Sequence, residues 1–218
     1  MRKTMIGKFI PYTILAVVTG AALWRDAPYA TLLLVMLMMA WYTIRMMLTS
    51  DAPPNVREER DAKRERLLTT AVGVGMIFVP LIALGTPVFD SAAYSPLPGQ
   101  FLLGGLLGLA GLYVFWRSHA DLGQLWSAHL ELREGHTLVT SGIYSRMRHP
   151  MYTAIFLIVT AQALLLTNWF AGPAGLVIFT LLYALRIGPE ERMLADQFGP
   201  EWEAYARRTP RLLPRLRA

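Results

Sequence analysis

MYTAIFLIVTAQALLLTNWFAGPAGLVIFTLLYALRI, residues 151–187, is the stretch on which the fold turns. It is apolar almost throughout and much longer than one bilayer crossing, for which on the order of 20 residues suffice. Asn168-Trp-Phe-Ala-Gly-Pro173 interrupts it with turn-forming and helix-breaking residues. The stretch therefore reads as a tight helical hairpin, down and back through a membrane.

Four more apolar blocks precede it, at residues 8–24, 28–49, 67–89 and 99–116. The first follows Arg2, Lys3 and Lys8 and holds the small residues Gly20-Ala21-Ala22, as a secretory leader does, but more spans follow and it reads as a span. In the fourth, Gly104, Gly108 and Gly111 recur at helical spacing, as on a face where transmembrane backbones approach closely. The expectation is an all-α, polytopic integral membrane protein with about six transmembrane helices and a C-terminal hairpin. Composition agrees: 54% of the 218 residues are hydrophobic and 17% charged, against about 25% charged in soluble domains, and the mean hydropathy is +0.38. The chain has no cysteine, which excludes disulfides, thiolate nucleophiles and zinc–sulfur sites.

The formal charge is +6, and its placement matters more than its sum. Arg57, Arg60, Lys63, Arg64 and Arg66 separate the second and third blocks. Arg117, Arg133, Arg146 and Arg148 follow the fourth, and Arg192, Arg207, Arg208, Arg211, Arg215 and Arg217 follow the hairpin. The alternate connections hold only Arg25, offset by Asp26. This pattern suits anionic lipid headgroups rather than nucleic acid, and the positive-inside rule puts both termini and both long basic loops in the cytoplasm. The charged run at residues 56–66 reads as a solvated extension of the third helix, with Glu59 and Lys63 as a helical pair.

Polar groups beside apolar blocks are costly and mark candidate sites. Pro150 suits the first turn of the fifth helix, which puts His149 at its N-cap with Arg148 just before it, a ready anion site. At the end of the sixth helix Arg186 and Glu190 are four apart and share a face, provided that Gly188-Pro189 does not break the helix. Spacing alone leaves an interfacial ion pair and a functional pair equally open. The hairpin favours function, because it returns Arg186 to the membrane face of His149.

The ordered set His136-Thr-Leu-Val139, Gly142-Ile-Tyr144, Arg148-His-Pro-Met-Tyr152, Glu190-Glu191, Phe198-Gly199, Tyr205 and Arg208-Thr-Pro-Arg-Leu-Leu-Pro214 resembles the isoprenylcysteine carboxyl methyltransferase family, and more broadly membrane methyltransferases that include phospholipid N-methyltransferases. The resemblance covers about residues 126–214. It implies S-adenosylmethionine as cofactor, S-adenosylhomocysteine as product, and a catalytic segment at the cytoplasmic membrane face. The residues matching the cofactor motifs are His136, Thr137, Leu138, Val139, Tyr144, His149, Pro150, Met151, Tyr152 and Glu190. Arg186 matches the position that holds the substrate carboxylate, so Arg186 and Glu190 are the expected catalytic pair. Where family members often carry Gln, this chain has His129.

The chain divides on this reading into a four-helix transmembrane region, 1–117, and a catalytic region, 118–218. The expected activity is carboxyl methylation of a lipophilic, isoprenylcysteine-like molecule or lipidated substrate reached through membrane lipids. Methylation of an amine, as on phosphatidylethanolamine, is the alternative, followed by a membrane reductase using NADPH. No metal is expected, since His119, His129, His136 and His149 form no ligand cluster at metal-binding spacing. A transporter would place its polar cluster at the midplane rather than at one face.

Overall fold

The computed structural model describes residues 2–25, 29–48, 56–59, 62–123, 131–133 and 137–214. In chain order the elements are α1 (Arg2–Trp24), α2 (Tyr29–Leu48), β1 (Val56–Glu59), α3 (Ala62–Gly73), α4 (Val79–Gly85), α5 (Gln100–Leu122), β2 (Glu131–Arg133), α6 (Pro150–Leu165), α7 (Ala171–Phe198) and α8 (Pro200–Arg208). Short 3₁₀ turns occupy Pro87–Ala92 and Gly142–Ser145. Among the described residues the fold is all-helical but for the two-stranded ribbon of β1 and β2. Among the described residues four helices are long and apolar enough to cross a membrane: Tyr29–Leu48, Lys63–Gly85, Gln100–Leu122 and Ala171–Phe198. Ile10–Trp24 and Pro150–Leu165 are shorter apolar helices.

In lipid each backbone N–H and C=O needs a partner inside the protein, and two prolines show how this is met. Pro80 cannot donate to Met76, and its ring would clash with that carbonyl in a regular helix. Residues 74–78 widen into a π turn instead, with Val79 N–H bonding to Val74 O, so α3 and α4 run on as one rod. Pro189 lies inside α7, which continues across Gly188-Pro189 to Phe198. The carbonyl that Pro189 leaves without its helical donor is that of Leu185, and Arg64 Nη2 of α3 donates to it at 2.9 Å.

The glycines of α5 divide between two partners. A Cβ on Gly104 would fall 2.9 Å from Leu165, and one on Gly111 would fall 2.8 Å from Ile158 and 3.1 Å from the Ala154 carbonyl, so these two admit α6. Gly105 and Gly108 admit Leu33 and Leu37 of α2. Without a hydrophobic drive between helices in lipid, such close approach is what holds them together. The core between α1, α2, α4 and α6 is built from Leu15, Leu34, Leu37, Leu84 and Leu165.

The hairpin turn lies where expected, between Leu165 and Ala171. Asn168 is buried there; its Oδ1 accepts from the N–H groups of Phe170 (3.0 Å) and Ala171 (2.9 Å), and its Nδ2 donates to Phe89 O at 2.6 Å. Trp169 N–H donates to Ala92 O at 2.9 Å, Tyr94 N–H donates to Thr167 O at 3.1 Å, and Arg25 pairs with Asp90 at 2.6 Å. The poorly charged connections thus meet at one end of the bundle. The basic ones meet at the other, where β1 pairs antiparallel with β2 in the register Val56↔Arg133, Glu58↔Leu132 and Glu59↔Glu131.

That ribbon corrects the reading of residues 56–66. Glu59 is in a strand and Lys63 in α3, so they form no helical pair. Nor is the whole run solvated: Glu65 is only 3% exposed. The fourth apolar helix also runs six residues past Trp116 to Leu122, which buries His119 against Phe115, at 4.3 Å between ring centroids.

Adding a β-branched side chain at Gly111 should separate α5 from α6 and cost about 1–3 kcal/mol. Gly73→Ala, where a Cβ meets nothing within 4 Å, should be neutral or stabilising by up to about 1 kcal/mol. Unfolding midpoints of Gly111→Val and Gly73→Ala in detergent check the contrast.

Candidate active site

Pro150 opens α6 at its first turn, and His149 stands at the N-cap with φ −125° and ψ 61°, as the sequence predicts. The C-terminal segment folds back over this point. Arg148 N–H donates to Pro210 O at 2.8 Å, His149 N–H to Arg211 O at 3.0 Å, and Thr153 Oγ1 to Leu212 O at 2.7 Å. The end of α7 projects the carboxylates of Glu190 and Glu191 into the same space.

These side chains form two layers. In the outer one Glu191 is gripped by Arg148 Nη2 at 2.8 Å and by Arg211 Nη2 at 2.7 Å. Arg148 also donates through Nη1 to the Ala206 and Thr209 carbonyls, at 2.5 and 2.7 Å, and lies 5.9 Å from the Trp202 ring centre. In the inner layer Tyr152 OH donates to Glu190 Oε2 at 2.5 Å, and Arg186 Nε lies 3.7 Å from that oxygen. Arg186 Nε also lies 3.2 Å from Glu65 Oε2 of α3. His149 joins the layers, with Nδ1 3.5 Å from Glu190 and Nε2 3.2 Å from Glu191. Beneath them Tyr152, Phe156, Phe179 and Tyr183 pack edge to face and tilted, with centroids 4.9–6.0 Å apart.

The anion expected at the N-terminus of α6 is therefore the protein's own. Arg148 is committed to Glu191 and to carbonyl oxygens of the C-terminal segment, and works as a clamp on that segment. Burial by itself would lower the His149 pKa, but hydrogen bonds and charge from Glu190 and Glu191 outweigh it, and the pKa is raised. A protonated imidazole donates from both nitrogens, which matches a ring with a carboxylate on either side.

Of the other candidates, His149, Tyr152, Arg186 and Glu190 converge, with Pro150 and Met151 in the first turn of α6. Thr137 is exposed and Leu138 half-buried. Val139 packs on the cluster of Ile143, Tyr144 and Met147. Tyr144 lies apart from the carboxylates: its hydroxyl donates to Ser118 O at 3.3 Å and its carbonyl accepts from Tyr205 OH at 2.6 Å. The turn that carries it needs Gly142, whose φ is +58° and whose Cβ would overlap Asp121 Oδ2, the acceptor of Ile143 N–H at 2.8 Å. His136 and His129 lie outside the described residues.

Sequence reasoning missed Glu65 and Arg64. The available signal was periodicity: Glu65 shares a helical face with Leu68 and Val72, and both pack against Tyr152, Phe179 and Leu182.

A pKa raised above the ordinary 6.5 means that protonated His149 contributes stability that is complete below that value and is lost as pH rises through the folded pKa. In detergent, histidine ring shifts assigned with His149→Gln should titrate above 6.5, and the His149→Gln protein should lose the matching alkaline decline in thermal stability.

Comparison with known proteins adds the following. Residues 105–196 match the model of the isoprenylcysteine carboxyl methyltransferase (ICMT) family. The chain is 35% identical over 154 residues to the cobalt-zinc-cadmium resistance protein CzcN of Cupriavidus metallidurans, covering 70% of this chain and 65% of that protein. It is 31% identical over 115 residues to protein-S-isoprenylcysteine O-methyltransferase B of Arabidopsis thaliana, covering 53% of this chain and 56% of that protein. The chain thus spans just under two thirds of the first relative's length and over half of the second's. The structure of the eukaryotic intramembrane Ras methyltransferase ICMT superposes with a TM-score of 0.56 over 92% of this chain and 74% of that one, at 18% identity, a likeness of fold. His149, Tyr152, Arg186 and Glu190 all lie inside the segment that is similar to the isoprenylcysteine carboxyl methyltransferase family.

Proposed function

We propose that this protein is a membrane-integral, S-adenosylmethionine-dependent methyltransferase that esterifies the carboxylate of a lipophilic, isoprenylcysteine-like acceptor. The observation that carries the reading is the meeting of Arg186, Glu190, Tyr152 and His149 at one end of the bundle. The donor set suits the cofactor: the Glu190 side chain is 22% exposed and stands beside tyrosines, a setting for cationic groups. His149, Tyr152 and Glu190 would hold it, with residues 136–139 alongside and Tyr144 bracing the wall through its bond from Tyr205. When bound, it supplies a methyl on a sulfonium that leaves with its electron pair as a carboxylate oxygen attacks, so no proton is taken up or released.

The chain's own part is placement and exclusion of water. Arg186 orients the acceptor carboxylate, for which a planar guanidinium is suited. An apolar crevice lined by Leu37, Trp41, Met76, Leu112, Ile158 and Gln162 lies roughly 16 Å along the α3–α4 rod from Glu65, at 1.5 Å per residue. That depth suits a prenyl tail whose carboxylate end rests at Arg186. CzcN is named for metal resistance. Among the described residues no group of three or more His, Cys, Asp or Glu is arranged to hold a metal ion, and the mechanism uses none.

Two mutants test the roles. Arg186→Lys should keep cofactor affinity and lose turnover by on the order of 100-fold, the scale on which misplacement acts. Glu190→Gln should weaken S-adenosylhomocysteine binding by about tenfold or more, since hydrogen bonds to charged groups are worth about 1.5–3 kcal/mol. Calorimetry, together with transfer of labelled methyl to a lipid extract, reads both. Base-labile label is the ester, and base-stable label would move the assignment to an amine acceptor.

The basic end of the bundle, with the site and both termini, is proposed to face the cytoplasm. The chain has no cysteine, so single cysteines at Ala62 and Ala93 should label from opposite sides of sealed vesicles. Labelling from the same side would overturn the arrangement.

A further inference from the structure

We infer that Glu65, which lies outside the family-matched segment, is the positioning residue that holds Arg186 for the acceptor carboxylate. The inference deepens the proposed carboxyl methylation and rests on it. Glu65 is buried, on the face of α3 that packs against α7. A buried carboxylate is costly unless it is paired, and its partner is Arg186, with Nε 3.2 Å from Oε2. Glu190 approaches the same nitrogen at 3.7 Å. Two carboxylates, from α3 and α7, therefore compete for one edge of the guanidinium, and the nearer one is Glu65.

The geometry gives this pair a specific task. A guanidinium reads a carboxylate as a rigid fork, so its rotation about the side-chain axis decides whether an acceptor can dock. The charge of Glu65 beside Nε, 3.2 Å away, draws the fork towards α3; without that charge it would turn towards Glu190. Glu65 is itself fixed, because its neighbour Arg64 donates to the Leu185 carbonyl that Pro189 leaves without a helical donor. The start of α3 thus docks one residue before Arg186, at the turn of α7 where Pro189 leaves a carbonyl open to a side-chain donor. Glu65 touches neither acceptor nor methyl group in this assignment and acts through Arg186.

The test uses the full chain in detergent, with N-acetyl-S-farnesylcysteine as acceptor. Glu65→Gln keeps the shape and removes the charge. It should raise the acceptor KM by about tenfold or more with a fall in kcat, while calorimetric affinity for S-adenosylhomocysteine stays within about twofold. Damage to packing alone would weaken both. In an Arg186→Lys background Glu65→Gln should change the acceptor KM no further, as expected of residues acting through one contact. If Glu65→Gln does not fold, Glu65→Asp carries the test, because it keeps the charge but draws it back by one methylene and should give the same split. An unchanged KM in a folded Glu65 variant, or additive effects with Arg186→Lys, would overturn the assignment while wild-type turnover upholds the methyltransferase. Wild-type protein that binds the cofactor product yet never methylates the prenylcysteine would overturn carboxyl methylation, and the role of Glu65 with it.

Discussion

A proline in the middle of the longest helix removes one backbone donor, and the site depends on how that loss is met. The Leu185 carbonyl lies on an exposed stretch of the helix, and wherever lipid rather than water surrounds it an unpaired acceptor is costly. Arg64 supplies the missing bond from a different helix. The consequence is twofold. α7 stays continuous, so Arg186 and Glu190 remain on one face. α3 is pinned beside them, which brings Glu65 into the cluster. A regular helix without Pro189 would have offered α3 no backbone acceptor at this level.

The rest of the bundle presents the site at one end. Glycines let α5 sit against both α2 and α6, and the π turn lets α3 and α4 pass Pro80 without stopping. Asn168 ties the hairpin tip to the Pro87–Ala92 turn at the end away from the site. With both ends stitched, α6 and α7 cannot slide along each other, and the separation of His149 from Glu190 is held to hydrogen-bonding scale. The outer clamp of Arg148, Glu191 and Arg211 then closes the C-terminal segment over the inner groups.

Much of this was legible in the residues. Apolar block lengths, the Asn168 turn, Pro150 at the start of α6 and the return of Arg186 to the level of His149 follow from periodicity and helix chemistry, which are local. What was not legible depends on partners distant in sequence. The carbonyl that Pro189 leaves open in α7 is met by Arg64, 121 residues from Leu185. That Arg148 faces Glu191, 43 residues away, rather than a ligand is a matter of charge partners that no short window contains. The β1–β2 ribbon joins segments that each look like charged linker, because two short strands gain stability only by finding each other. Glu65 sits among other acidic residues, and only its phase relative to Leu68 and Val72 distinguishes it.

The order in which the chain is made bears on the clamp around Arg148. Its partners Glu191, Ala206 and Thr209 lie 43, 58 and 61 residues downstream. At the moment α6 enters the bilayer, Arg148 has none of them and remains a full, uncompensated cation at the helix start. Only after α7 and α8 have been synthesised is that charge absorbed by Glu191 and the carbonyls of the C-terminal segment. One arginine thus stands without these partners while the chain is short and becomes the fastener of the C-terminal segment once α7 and α8 are in place.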